Sequence, residues 1–244
     1  MYENNYNLKK INFAKNIIIL IKKEGIWYFL KKVFYIYFFP IYILFFIKQR
    51  KIIFNNKEIQ YFFHNYNYTF MNERAIEIPL VLSLIENIPK IELLEIGNVL
   101  SHYVQNEWDV VDKYENSKKV INEDIVNFKP LKKYSCIVAI STFEHIGFDE
   151  ALKDNKKILN MISNLKKNCL KKNGQIIFTI PVGWNFNLDQ LIKTNKIKFS
   201  EVYYFKRISW DNKWVISKKE AVFKTTFSKP YIGANGLVLG IIKK

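Results

Sequence analysis

Cysteine, histidine and glycine are scarce in this 244-residue chain, which holds two, three and eight of them. Cys136 and Cys169 have no CxxC spacing and each sits in an apolar segment, which predicts buried free thiols in a reducing compartment. His64, His102 and His145 have no clustered partners at ligand spacing, so a zinc site is excluded. No internal repeat or Pro/Ser-rich linker is present. The apolar region of the N-terminal part starts late and no small-residue cleavage site follows it, so a signal peptide is not expected. No basic stripe with interleaved aromatics marks the C-terminal part, and no nucleic-acid motif is present, which disfavours a nucleic-acid partner.

What the chain does have is apolar bulk and positive charge. Hydrophobic residues make up 49%, enough for one large domain with an appendage, and the net charge is +16. Lysine and arginine outnumber the acids by about eight in the first sixty residues alone. Residues Met1–Lys23 read as a basic amphipathic helix, with Phe13, Ile17, Leu20 and Ile21 spaced for one face. The segment Ile26–Ile47 follows, aromatic and poor in alanine. Its longest uncharged run, Val33–Ile47, is fifteen residues and carries Pro40 in the middle. A spanning helix needs about twenty, so the segment suits an anionic interface, flanked as it is by lysines on both sides. The expectation is a peripheral or monotopic anchor at the cytoplasmic face of the membrane, with a single pass as the extreme case. A helical hairpin packed on the domain is the plainer reading.

Residues Lys51–His64 alternate as a hairpin around Asn55-Asn56, and a helix capped by Asn72 is expected to about Asn87, with Pro79 inside it. Arg74, near its start, could pair with a ligand carboxylate. From there strands and helices alternate, which predicts a parallel sheet. Leu93, Leu94 and Ile96 form a short strand buried on both faces, with Glu95 in its last turn, Gly97 after it and Asn98 opening a helix of about two turns. A second strand ends at Asp112, placed for ribose hydroxyls. A third leads to Asp124-Ile125, where a carboxylate can take an exocyclic amine while the aliphatic side chain packs on a ring. The fourth runs from about Cys136 to Ile140 into Ser141, Thr142 and Phe143-Glu144-His145. A long helix over Asn155–Leu170 with Gly174 as its C′ residue, and a fifth strand ending at Pro181, complete the alternation. In the tail, two strands flank a WDNK turn, Ser217 with Glu220 caps a short helix, and GLVLGII closes as an antiparallel strand inserted in the sheet.

These strand ends, LLEIGN, DVVD, Asp124-Ile125 and ISTFEHIG, with LKKNGQIIFTIP after them, resemble the class I S-adenosylmethionine-dependent methyltransferases over about Glu92–Lys244. The wording GNVLSHY…WDVVDKYE…INEDI…STFEHIGFDE is similar to that of small methyltransferases associated with surface glycans. The resemblance implies an α/β, Rossmann-like fold with a mostly parallel seven-stranded sheet and one antiparallel strand, behind N-terminal membrane-associated helices. It divides the chain into 1–50 (membrane-associating), 51–90 (hairpin and helix) and 91–244 (methyltransferase-like). It implies S-adenosyl-L-methionine as cofactor, held by Glu95, Gly97, Asn98, Asp112, Asp124, Ile125, Ser141 and Thr142. Catalysis would fall to His145 as general base, oriented by Glu144, toward a hydroxyl of a sugar or lipid-linked glycan. The chain departs from the family in its first motif, where only Gly97 stands and Asn98 and Leu100 occupy small-residue positions. That departure motivates a second reading, a degenerate fold serving as a scaffold. The charge motivates a third, an RNA methyltransferase.

Overall fold

The computed structural model describes residues 21–22, 24–38, 41–42, 50–105, 107–150 and 153–244, and the chain divides into compact units 1–50 and 51–244. In the first unit, helix α1 (Ile26–Tyr37) begins after Gly25, whose φ of 87° suits the residue without a Cβ. Trp27, Leu30, Phe34, Tyr37 and Phe38 are exposed on it, beside exposed Lys31 and Lys32. Residues 1–20 of the helix predicted over Met1–Lys23, Pro40 and most of the run beyond Phe38 lie outside the described residues. Among the described residues, no helix is long and apolar enough to cross a membrane.

The second unit opens with a two-stranded hairpin, β1 (Lys51–Phe54) and β2 (Lys57–Gln60), joined through Asn55 and Asn56. Both asparagines have positive φ, 49° and 60°, as a two-residue hairpin turn requires. Helix α2 (Arg74–Ile85) follows, with the Arg74 amide donating to Asn72 Oδ1 at 3.0 Å. Pro79 sits inside α2 and lacks the N–H that would bond the Ala75 carbonyl. That carbonyl instead accepts from the Phe62 amide at 2.8 Å.

The main sheet contains β3 (Leu93–Ile96), β4 (Asp109–Val111), β5 (Val120–Ile121), β6 (Tyr134–Ile140), β7 (Leu170–Pro181), β8 (Glu201–Arg207), β9 (Trp214–Ile216) and β10 (Gly236–Lys243). Its order is β5-β4-β3-β6-β7-β10-β8-β9. The first five are parallel, β10 runs antiparallel to both β7 and β8, and β9 antiparallel to β8. This is a Rossmann-like sheet with eight strands where seven were expected. The WDNK hairpin folds β9 onto the sheet edge, so a second strand runs against the parallel direction. Alternation along β3 and β6 sends Leu94, Ile96, Ile137 and Ala139 to one core and Leu93, Cys136, Val138 and Ile140 to the other. Helices α3 (Lys157–Asn164) and α4 (Phe186–Lys193) supply the first core, and α2 with the hairpin the second.

Local differences from expectation have local causes. The segment after Gly97 makes a single 3₁₀ turn, Leu100–His102, whose first amides, Val99 and Leu100, donate to the Glu95 carboxylate. Helix α3 ends in a π turn, Leu165–Cys169, and Gly174 lies inside β7 rather than beyond a helix. The register jumps there, Leu170 pairing with Tyr134 and Gln175 with Cys136, so residues 171–174 bulge out around Asn173 at φ 63°. The short helix of the tail, α5 (Lys219–Val222), has Lys218 at its N-cap, with no side-chain bond from Ser217. Helix α4 was not anticipated; Asn185 caps it by accepting from the amides of Asn187 and Leu188.

Candidate functional site

The carboxyl ends of β3, β4 and β6 open into one cleft of about 360 Å³, a volume that suits a small-molecule ligand. Gly97, Asn98, Asp112, Asp124, Ile125, Ser141, Thr142 and His145 all line it. Glu95 and Glu144 do not. The strand ends thus bring together eight of the ten residues that the sequence nominated.

Gly97 is held at φ +77° by its amide's bond to the Val111 carbonyl, and a Cβ on it would stand 2.4 Å from Thr142 Oγ1. Gly97, the one glycine that stands in this turn, is a position where a side chain has no room. Thr142 itself is fixed by donating to the Ile140 carbonyl at 3.0 Å. Asp112 accepts through Oδ1 from the amides of Tyr114 and Glu115 and through Oδ2 from Asn98 at 3.3 Å. A carboxylate offers about four acceptor sites, so Asp112 keeps capacity for a hydroxyl. Asn98 is aimed by donating to Glu115 at 2.6 Å.

At the far end, Asp124 accepts from the Val126 amide, and its Oδ2 meets two ammonium groups, Lys157 at 2.8 Å and Lys113 at 3.0 Å. Both lysines also reach Glu150, which lines the same cleft. Burial alone would raise the two carboxyls, but the lysines reverse it and hold Asp124 and Glu150 below the ordinary range. Ile125 packs beside them, 4% exposed. The sequence reading missed Lys113, Lys157 and Glu150, since nothing in a lysine's spacing says which carboxylate it will reach.

Glu95 departs from its expected place. It is buried on the α2 side of the sheet, where Oε1 accepts from Val99 and Leu100 and Oε2 from the Trp108 indole at 2.8 Å. Alternation sends it away from the cleft, and its acceptors are used on the protein's own turn. Burial holds its carboxyl above the ordinary carboxylate range despite those bonds.

Glu144 departs as well. It is 1% exposed, and its Oε1 lies 3.7 Å from His145 Nε2, too far for a hydrogen bond. The carboxylate that orients His145 is Asp149, 2.5 Å from Nδ1 and also the acceptor of the Trp184 indole. No other side chain or amide among the described residues donates to either Glu144 oxygen. Its backbone carbonyl is held by the buried Asn185 amide at 2.8 Å. Across the sheet top, Arg74 Nη1 donates to Glu77 Oε2 at 2.7 Å, and Ser141 Oγ donates to Glu77 Oε1 at 2.6 Å. Arg74 therefore belongs to an internal pair rather than offering itself to a ligand carboxylate. Burial pushes Glu77 up, Arg74 and Ser141 pulling it partly back, and burial pushes Glu144 well above the carboxylate range, with Glu77 adding to the effect. Burial opposes the Arg74 charge, but Glu77, Glu73 and Glu144 outweigh it.

No family model matches the chain, and a search of curated proteins finds no match. Solved structures do align with it. The N-methyltransferase NodS from Bradyrhizobium japonicum, in complex with S-adenosyl-L-homocysteine, is 13% identical at a TM-score of 0.44, over 70% of this chain and 87% of that one. A TehB-like methyltransferase from Corynebacterium glutamicum is 15% identical at 0.39, over 67% and 86%. A possible histamine N-methyltransferase from Thermotoga maritima is 15% identical at 0.37, over 66% and 86%.

Among the described residues, no group of three or more His, Cys, Asp or Glu is placed to hold a metal ion.

Proposed function

We propose that this chain is an S-adenosylmethionine-dependent methyltransferase acting on a sugar or lipid-linked glycan. The observation that carries the reading is the convergence of Gly97, Asp112, Asp124 and Ile125 on one cleft. Asp112 would hold the ribose hydroxyls, and Asp124 and Ile125 the adenine. Gly97, Asn98, Ser141 and Thr142 would border the amino-acid portion. The glycine at position 97 lets β3 and the Thr142 turn pack closely at the floor of the cleft, since a Cβ there would meet Thr142. The cofactor supplies a methyl group already activated on sulfonium, so the protein's share is to position the acceptor and manage its proton. His145, half exposed and oriented by Asp149, is placed for that task at the cleft.

The test is calorimetry of the full chain with S-adenosylhomocysteine. Binding is expected, and Asp112→Asn should weaken it about ten- to a hundredfold, the range for a charge-assisted hydrogen bond. Well-folded protein that binds neither the cofactor nor its product overturns the reading. The scaffold alternative draws support from one observation, the two lysines already seated on Asp124, and that outcome would favour it.

Association with an anionic, cytoplasmic membrane surface is the second part of the proposal, supported by the exposed aromatic residues and lysines of α1. Sedimentation of the full chain with phosphatidylserine-containing vesicles, but not with neutral ones, is the expected result.

A further inference from the structure

A second cavity opens beside the first. It encloses about 340 Å³, close to the volume of the cleft, and Asn98 borders both. The two differ in charge. Asp112, Glu123, Asp124, Asp149 and Glu150 line the cleft against one lysine, Lys113. Lys118 and Lys119 line the second cavity, and no acid among the described residues lines it with them. A tight turn sets these lysines side by side: the Val120 amide donates to the Ser117 carbonyl at 3.1 Å, with Lys118 and Lys119 at the two central positions. Val110 on β4, which is buried, and Val120 on β5 give the cavity an apolar side, against which charge is screened less than in open water. Among the described residues neither ammonium meets a carboxylate, and the Ser117 hydroxyl has no partner. Glu115, the acid nearest in sequence, is taken up by the Asn98 side chain at 2.6 Å. Lys113 and Lys157, by contrast, are already seated on Asp124 and Glu150.

We infer that this second cavity binds the phosphate group of a ligand, beside the cleft rather than inside it. Two adjacent ammonium groups match the charge of about −2 on a phosphate monoester, where a carboxylate would leave one cation over. The Ser117 hydroxyl adds a neutral donor, and the Asn98 side chain, with one N–H on Glu115, keeps a second to give. A phosphate entering the cleft itself would instead meet its five carboxylates, and the lysines there are engaged. The inference stands apart from the methyltransferase reading, since of the donors only Asn98 belongs to the cleft. The phosphate can arrive on a small soluble ester or as the headgroup of an anionic lipid, and both present the same oxygens to the lysines.

The experiment titrates the isotopically labelled full chain with inorganic phosphate, against acetate at matched ionic strength, and follows backbone amides by NMR. Saturable shifts are expected at Asn98 and across Ser117–Val120, with a dissociation constant of about 1 to 10 mM. Lys118→Gln with Lys119→Gln should weaken binding at least about tenfold. Lys196→Gln with Lys198→Gln, at exposed positions outside the cavity, removes the same charge and should leave binding unchanged. Equal shifts with acetate, equal losses in the two paired variants, or no saturation at about 50 mM phosphate would each overturn the site. Were the Lys118/Lys119 variant unfolded, the position of the shifts in the unsubstituted chain would decide the matter by itself. Two further arms separate the sources. Glucose 1-phosphate that binds more tightly than inorganic phosphate, and loses that binding with the two lysines, supports the site as one for a soluble ester. Sedimentation with phosphatidic acid vesicles that is lost with the two lysines, while glucose 1-phosphate gains nothing over inorganic phosphate, supports it as one for a lipid headgroup.

Discussion

The two ends of the cleft solve the problem of buried carboxyls in opposite ways. At the β5 end, two acids face two lysines, all four partly open to water, and the acids ionise more readily than usual. At the β6 end, two fully buried acids and a half-buried one share one guanidinium, and both buried acids resist ionisation. Compensated charge is structural, because its energy is realised in the folded chain whether or not a ligand arrives. Buried carboxyls short of donors and counter-charge instead cost stability, and perturbed groups of this kind cluster at functional sites.

The sharpest way to break this contrast is Arg74→Met. Removing the Arg74 guanidinium from the β6 end should cost about 3 to 5 kcal/mol in urea unfolding at neutral pH, as for other severed buried pairs. The loss should shrink in acid, where Glu77 is neutral in both proteins. A cost no larger than that of a surface lysine would mean that the β6 end is not short of positive charge. Next comes Glu144→Gln, whose effect depends on pH. The folded carboxyl titrates above its unfolded value, so the folded state binds the extra proton and wild-type stability falls as pH rises from the ordinary carboxylate range to the folded one. The variant lacks this term and should gain on wild type by up to about 1.4 kcal/mol per pH unit across that window, with no difference below it. A constant difference across pH would sink the assignment.

At the compensated end, Lys157→Met should cost about 1 to 2 kcal/mol, between the values for exposed and buried pairs. It should also move the Asp124 titration, followed by carboxyl NMR, back toward the ordinary range. The sign is opposite to that of Glu144: a depressed carboxyl stabilises above its unfolded range and loses that contribution as pH falls through the folded one. Smallest of all is Lys113→Met. Its ammonium is more open to solvent than that of Lys157, and a change below about 1 kcal/mol is expected. Equal costs at the two lysines would show that solvent exposure does not grade this network.

Much of the cleft was legible because strand ends are local. The apolar runs of β3 and β6, the acid at the end of β4 and the turn at Gly97 each announce themselves within a few residues. The inserted antiparallel strand was legible for a similar reason, since GLVLGII has no helical pattern after it. What was not legible is where each side chain finds its partner. Lys157 reaches Asp124 across 33 positions and Ser141 reaches Glu77 across 64. Glu95 was assigned to the cleft by its place in a motif, yet its position in the pleat turns it to the other face. The role of Glu144 as an orienting carboxylate failed likewise: Asp149, one helical turn beyond His145, is nearer to the ring nitrogen.

Pro79 ties these halves of the molecule together. By declining one rung of its own helix, it hands the Ala75 oxygen to the incoming chain at Phe62, so the path leaving the β1–β2 hairpin is stitched to the rod that carries Arg74 and Glu77. An alanine at this position would let α2 complete its own ladder and release the stitch. The chain leaving the hairpin would then be held to α2 and the sheet by the Lys57–Glu86 ion pair, the Tyr61 hydroxyl on the Trp214 backbone and side-chain packing, and amide exchange at Phe62 would report the change first.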